Sequence, residues 1–354
     1  MTLENLTTSA IQLLKDLIEI PSFSSEEQLT AARIEAWFTN YKIPFQRSQN
    51  NIWATNADFD PSKPTLLLNS HHDTVKPNNG YTKDPFKAQI EDGKLFGLGS
   101  NDAGGCLVSL MATFTYFYAH KNLNYNLVIV ASAEEESSGE AGLNSMLSII
   151  PKIDVAIIGE PTLMQLAISE KGLVVFDALV KGTPGHAAHP NADNAIYNVI
   201  EVLQWFKDFR FEKDSDSLGP VKMTVTQINA GKQHNAIPAA VELVVDVRVN
   251  DQYSNKEIVE ILQKQAPCFS ITPRSLKLNS SSIPLDHPLV QTGIALGRET
   301  YGSPTLSDQS VLSCPSLKLG PGDSTRSHTA DEFIYIKEIE EGITLYIQLL
   351  TKIL

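Results

Sequence analysis

The sequence predicts an α/β protein: a mostly parallel sheet flanked by helices, carrying an inserted α+β domain built on an antiparallel sheet. Three observations lead there. At 354 residues with 42% hydrophobic residues, the chain can bury more than one core. Its N-terminal half alternates short apolar runs with helix-like segments, the pattern of a parallel sheet covered on both faces. From about residue 173 the apolar residues alternate with polar ones, as in a half-exposed antiparallel sheet.

Taken in order, residues 6–20 and 26–41 carry apolar residues at helical spacing, with Ser24 and Ser25 as N-caps of the second helix. The runs NIWAT, PTLLLNSHHD, LVIVASAEEE and VAIIGEP read as strands, with helices over 103–121 and 142–150 between the later ones. LVVFDALVKG, VKMTVTQINAG and AAVELVVDVRV then alternate, interleaved with helices over 194–209 and 255–265. A helix over 287–299, a strand over 315–319 and a helix over 336–353 return to the first sheet. This gives a discontinuous domain, 1–172 with 283–354, interrupted by an inserted domain, 173–282. No repeats or low-complexity segments are present.

Composition excludes several functions. A formal net charge of -13, without a local Lys/Arg run, argues against nucleic acid. MTLENLTTSA lacks the features of a signal peptide, and no apolar run is long enough to span a bilayer. Cys106, Cys268 and Cys314 are too few and too scattered for a disulfide framework or a thiolate zinc site. The expected setting is cytoplasmic, and the expected partner a small molecule.

The chemistry lies at the ends of the predicted strands, where open α/β sheets place their ligands. His71 and Asp73 stand in SHHDTV, Asp102 in GLGSNDAGG, Glu134, Glu135 and Glu136 in SAEEESSG, Glu160 in IGEPT, and His328 in SHTADEF. So many carboxylates repel one another unless protons or cations neutralise them. Two imidazoles with several carboxylates suit a pair of divalent ions about 3.5–4 Å apart, zinc above all, with Asp102 as the candidate bridge. Any one of these motifs alone is as well explained by a surface turn or a solvated acidic patch; their joint order at strand ends is not.

These motifs resemble those of the co-catalytic metallopeptidase and deacylase family that includes acetylornithine deacetylase, succinyl-diaminopimelate desuccinylase and aminoacylase. The resemblance covers essentially the whole chain, and IGEPT with GPGDSTRSHTADEF is most similar to the acetylornithine deacetylase branch. It implies a zinc-peptidase-like catalytic domain holding two divalent ions, zinc or cobalt. One ion would be held by His71, Asp102 and Glu160, the other by Asp102, Glu136 and His328. Glu135 would be the general base, taking a proton from the attacking water and returning it to the leaving amine, and Asp73 would orient His71. A turn is needed for Glu135 and Glu136 to serve one centre, and Ser137-Ser138-Gly139 can supply it. Glu134 stands where the family usually has Asp, which leaves the register of the acidic pair open by one residue.

The resemblance also implies that His186 in GTPGHAAHP stabilises the tetrahedral intermediate from across a homodimer, that Asn235 in HNAIPAA bonds the substrate, and that Arg248 in VDVRV forks onto its carboxylate. His189 and His234 read as ordinary loop histidines, His120 as a helix C-terminal cation, and His287 as a helix-start residue; His72 points away from the centre. Cys106 packs a helix. Arg326 and Lys171 are the cations that a succinyl carboxylate would want.

The expected activity is hydrolysis of an N-acyl amino acid, foremost N-acetyl- or N-succinyl-ornithine to ornithine in arginine biosynthesis. A di- or aminopeptidase, or a succinyl-diaminopimelate desuccinylase, is the alternative within the same family. GLGSNDAGG is a poor dinucleotide loop, since Asp102 replaces its third glycine. A metal-free binding protein would not need every ligand type retained.

Overall fold

A computed structural model describes residues 2–354. The chain forms two compact units: Met1–Ile168 with Ser282–Tyr301 and Ser307–Leu354, and Ser169–Ser281 with Gly302–Leu306.

The first unit is built on a mixed sheet whose neighbouring strands run, in order, Gln46–Ser48, Asn51–Thr55, Asn126–Ser132, Thr65–His71, Val155–Ile158, Ser316–Lys318 and Leu166–Glu170. Its centre is parallel: Thr65–His71 pairs in parallel with Asn126–Ser132 and with Val155–Ile158, which in turn pairs in parallel with Ser316–Lys318. Every residue of Thr65–His71 and of Asn126–Ser132 is buried, because both faces of the sheet are covered. The two-residue period of a strand divides their side chains between two cores. Leu66, Leu68, Leu127 and Ile129 pack with helices Leu3–Ile18, Gly105–Phe117 and Ile336–Thr351, while Leu67, Val128 and Val130 join Leu143, Met146 and Ile158 on the other face. The central parallel strands end at His71, Ser132 and Ile158, so the segments that follow them emerge along one edge.

The α/β class predicted above is therefore observed, with local corrections. The helix expected over 103–121 runs only from Gly105 to Phe117, preceded by a wide turn, Ser100–Gly104, in which Asp102 has φ -116° and ψ 98°. The helix expected over 142–150 is one turn, Leu143–Met146; Pro151 disfavours helical geometry at Ile150. Ser24 and Ser25 do not cap the second helix, which spans Gln28–Asn40 after Glu27 without a side-chain cap. Their hydroxyls instead donate to Asp73 Oδ2 at 2.7 Å and Glu134 Oε1 at 2.8 Å; at Asp73, a buried carboxylate gains more from a donor than a helix end open to water does. The helix expected over 287–299 ends at Ala295, before Gly297 in left-handed geometry at φ +80°. A small antiparallel sheet joins Gln89–Glu91, Lys94–Phe96 and Phe333–Tyr335.

The second unit carries an antiparallel sheet in the order Lys222–Ala230, Ala240–Val249, Gly172–Lys181, Ser270–Pro273. One face alternates into a core with helices Ala195–Asp208 and Asn255–Gln265, where Val174, Phe176, Leu243, Val245, Ile258 and Leu262 pack. Lys222–Ala230 is the edge strand, and it is largely exposed. No described helix is long and apolar enough to cross a membrane.

Candidate metal centre

The site begins with His71, the last residue of the wholly buried strand Thr65–His71. Its imidazole is 1% exposed. Nδ1 lies 3.0 Å from the Asp73 carbonyl oxygen and 3.5 Å from Asp73 Oδ1. A carbonyl only accepts, so Nδ1 carries the proton and donates, which turns the lone pair of Nε2 outward from the strand. Nε2 is buried with no hydrogen-bond partner among the described residues. It faces Asp102 Oδ1 at 3.4 Å and Glu160 Oε1 at 3.7 Å.

Asp102 is presented by a turn whose backbone N–H groups converge on the buried Glu332 carboxylate. Asn101 N and Asp102 N donate to Glu332 Oε1 at 2.8 and 2.9 Å, and Gly99 N to Oε2 at 3.1 Å. The second oxygen of Asp102, Oδ2, lies 3.6 Å from His328 Nε2, which is 3.2 and 3.1 Å from the two oxygens of Glu136. One carboxylate thus faces two histidines, one with each oxygen. Glu160 reaches the group from the strand Val155–Ile158 through Gly159, where a Cβ would fall 2.7 Å from Leu110 Cδ1 and 3.0 Å from Ser70 Cβ.

The acidic run reaches the centre through a tight turn, in which Ser138 N donates to the Glu135 carbonyl and Gly139 N to the Glu134 carbonyl. Asp73 holds this turn: Glu135 N donates to its Oδ1 and Glu136 N to its Oδ2, both at 3.1 Å. Glu27, fully buried, accepts from Ser25 N, Glu134 N and Asn50 Nδ2. Glu134, with φ +55°, turns its carboxylate back to accept from Ala141 N and the Ser25 hydroxyl. In this geometry Glu134 braces the turn while Glu135 and Glu136 are directed inward.

The charges reflect this crowding. Burial depresses the His71 imidazole, but the carboxylates of Asp102 and Asp73 beside its two nitrogens and the charges of Glu135 and Glu160 outweigh it and hold it well above the usual value. Glu136 raises His328 to about 9 by hydrogen bonding. Burial, then the charge of Asp102, raises Glu160 to about 8, and burial first of all lifts Glu135 well above the carboxylate range. Burial also raises Glu332 to about 8 and Asp308 to about 6, the latter accepting from the Ser132 hydroxyl at 2.6 Å. Burial raises Asp73 too, but His71 and Ser24 more than cancel that and hold it below the usual range.

The donor set fits a pair of divalent cations. Donor atoms of His71, Asp102 and Glu136 lie within 4.8 Å of one another, as do those of His71, Glu135 and Glu160. Zinc–ligand distances of about 2.0–2.1 Å put tetrahedral donors roughly 3.3–3.4 Å apart. The separations of 3.4–3.7 Å about His71 Nε2, too long for hydrogen bonds, are close to that spacing.

Other residues singled out in the sequence lie elsewhere. In the second unit, exposed His186 pairs in a short ladder with Ala236, and its Nδ1 accepts from Ala188 N at 3.1 Å. Asn235 accepts from Ala187 N through its carbonyl. Arg248 forks onto Asp246 two residues away, at 2.9 and 3.1 Å. The His189 ring is tilted against that of His186, with centroids 5.7 Å apart, and His234 is exposed. Lys171 donates to the Pro220 carbonyl, while Arg326 of the first unit forks onto Glu338 at 2.7 and 2.9 Å. His72 binds the Thr30 hydroxyl and the Asn50 carbonyl, and burial lowers it to about 4, leaving it neutral. His120 packs on Tyr116 and Phe117, His287 caps Pro288–Ala295, and Cys106 is buried beside the Pro321 carbonyl. Sequence reasoning missed Glu27, Asp308, Asp331 and Glu332; only SHTADEF offered a signal, the acids that follow its histidine.

Comparison with known proteins places the chain among described relatives. The profile of peptidase family M20/M25/M40 matches residues 67–352. The chain is 27% identical over 370 residues to a succinyl-diaminopimelate desuccinylase of Wolbachia pipientis subsp. Culex pipiens, covering 95% of this chain and 91% of that one. It is 27% identical over 378 residues to an acetylornithine deacetylase of Salmonella typhimurium, covering 97% and 98%. Among solved structures, the Bacillus subtilis YXEP protein, described as a dinuclear metal-binding peptidase, superposes with a TM-score of 0.74 at 15% identity, covering 99% of each chain.

Protons and cations compete for the same donors here. Because His328 and Glu160 are raised to about 9 and about 8, they hold protons at neutral pH that a metal must displace. Apparent zinc affinity therefore rises with pH from about 6 to 9, with net proton release on binding. Calorimetric titration of metal-free protein in buffers of different ionisation enthalpy measures that release; a heat independent of the buffer would exclude these ligands.

Proposed function

The chain belongs to peptidase family M20/M25/M40, and on that premise we propose that it is a two-metal deacylase that hydrolyses the amide bond of an N-acyl amino acid, N-acetyl-ornithine first. The observation that carries this reading is Asp102, with one carboxylate oxygen toward each of two histidines, His71 and His328. As a member of this family the protein is a metal-dependent amidohydrolase. His71, Asp102 and Glu160 would hold one ion, and Asp102, Glu136 and His328 the other, zinc with cobalt as substitute. Bound there, the ions would supply a water of lowered pKa and polarise the substrate carbonyl.

The side chains do the rest. Glu135, raised by burial, takes the proton from the attacking water. As the carbon–nitrogen bond breaks it passes that proton to the leaving amine, giving a carboxylate and a free amino acid. Asp73 holds His71 through its main-chain carbonyl while its carboxylate seats the peptide groups of Glu135 and Glu136.

Acetyl is placed before succinyl; of the cations that a second acyl carboxylate would want, Arg326 is forked onto Glu338 and Lys171 donates to the Pro220 carbonyl. The substrate's own carboxylate falls to Arg248, which would share or exchange its Asp246 partner, with Asn235 bonding beside it and His186 stabilising the tetrahedral intermediate. His186 would act from the partner of a homodimer made by the second unit. Tyr197 and Ile200 on the helix Ala195–Asp208 and Ile228 on the edge strand, exposed by 70%, 62% and 52%, support that pairing. The proposed setting is cytoplasmic, in arginine biosynthesis.

Dialysis against a strong chelator should abolish turnover, and zinc or cobalt should restore it. In a panel of N-acetyl- and N-succinyl-ornithine, -citrulline and -diaminopimelate with dipeptides, N-acetyl-ornithine should turn over fastest; dipeptide hydrolysis alone would make the protein a peptidase. Glu135→Gln should keep both ions and lose about 10²–10⁴-fold in kcat. Glu136→Gln should instead lose affinity for one ion, and an exchange of the two phenotypes would move the base by one residue. Co-expression of His186→Ala with Glu135→Gln should restore roughly one site in four if His186 serves its partner; mixed dimers as inactive as either parent would exclude action in trans.

A further inference from the structure

In SHTADEF the histidine is a candidate ligand, while the Asp and Glu that follow have no part in the chemistry above. We propose that Asp331 and Glu332 are tandem positioning residues that lock three ligand-bearing segments, the Asp102 turn, the His328 turn and the strap leaving His71, into one frame. The inference rests on the two-ion reading of the centre.

Asp331 lies in a turn with left-handed backbone, φ +53°, and Glu332 leads directly into the strand Phe333–Tyr335, so the two side chains leave the chain in different directions. Glu332 points inward, 1% exposed, and its two oxygens take the N–H groups of Gly99, Asn101 and Asp102. Its own carbonyl accepts from Gly97 N at 3.0 Å. The turn that presents Asp102 is therefore bound to this strand at four donors.

Asp331 faces the other way. Its Oδ1 accepts from Thr82 N at 2.8 Å and Lys83 N at 2.9 Å, and its Oδ2 from the Thr82 hydroxyl at 2.5 Å. Residues 74–86 are the strap that leaves Asp73, and Asn78 Nδ2 returns from it to the His328 carbonyl at 3.1 Å. The strap thus starts three residues beyond one histidine and is tied to the other at its own carbonyl and at Asp331 three residues after it, 257 positions away in sequence.

His328 needs such a tie. Its side chain is 55% exposed, so packing does little to place it, and its backbone is left-handed at φ +58°, which a residue bearing a Cβ adopts at a cost. Productive metal geometry tolerates displacements of only about 0.5 Å. Asp331 limits the His328 turn, and Glu332 limits the carboxylate that both histidines face.

The test is zinc titration of metal-free protein by calorimetry, with thermal unfolding of the same metal-free samples. Wild type should bind two ions. Asp331→Ala should weaken one of them about 10–100-fold and leave the other near wild type, the range typical of residues that support metal ligands. Asp331→Asn retains an oxygen at the Oδ1 position for both N–H groups and should recover most of the loss. Glu332→Gln should weaken both ions, because Asp102 faces both histidines. Should Glu332→Gln fail to fold, the Asp331 pair decides alone. Variants that bind both ions like wild type while only their melting temperature changes would make these carboxylates merely structural and overturn the inference. Wild type that binds no ion at all would instead remove the two-ion reading, and this inference with it.

Discussion

Mutual repulsion among buried carboxylates is the constraint from which the architecture of the first unit follows. Asp73, Asp102, Glu135, Glu136, Glu160, Asp308 and Glu332 act electrostatically on one another or on the buried imidazole of His71. Two like charges 4 Å apart near a protein surface repel by about 4 kcal/mol. The fold meets this by dividing the acids into two kinds. Asp73 and Glu332 have their oxygens filled by hydroxyl and peptide N–H donors, so their lone pairs fix backbone geometry. Asp102, Glu136 and Glu160 turn oxygens toward histidine nitrogens instead. Chemically alike side chains become scaffold or ligand according to what fills their lone pairs.

That division depends on the parallel sheet. Its central strands end together, so His71, the acidic turn and Glu160 arrive at one edge from three separate stretches of chain. The sheet supplies position but no donors beyond its last rung. The donors come from short irregular segments: the Gly99–Asp102 turn, the Glu134–Gly139 turn, and Ser24 and Ser25 ahead of the second helix. A rigid sheet and deliberately non-repetitive backbone are thus both necessary.

Legibility in the sequence followed the range of the interactions. LLLNSHHD and VAIIGEP show their role locally, because an apolar run that stops at histidine or glutamate marks a strand reaching its ligand. The brief sheet of Gln89–Glu91, Lys94–Phe96 and Phe333–Tyr335 went unread, since three-residue strands are too short to show a period. Its one local sign was Asp92-Gly93, both with positive φ, a hairpin pair. Ser24 and Ser25 looked like caps because their partners lie 49 and 109 residues away. Glu27 drew no attention for the same reason, since Glu134 N, which donates to it, lies 107 residues away. Periodicity reports which face is buried; it does not report which distant N–H groups a buried carboxylate must satisfy.

The strand Ser316–Lys318 lies between Val155–Ile158 and Leu166–Glu170, two strands separated by a short loop that do not pair with each other. During synthesis the first of these waits beside an open slot until some 150 further residues have left the ribosome. The second unit, Ser169–Ser281 with Gly302–Leu306, emerges in that interval, so all four strands of its antiparallel sheet are available before the slot can be filled. Domains fold as units as they emerge, and pairings distant in sequence form late. The acidic edge of the sheet therefore stays incomplete until the stretch carrying Ser316–Lys318 and His328 is available, so the gap in the sheet sets an order of assembly, the inserted unit first and the centre after it.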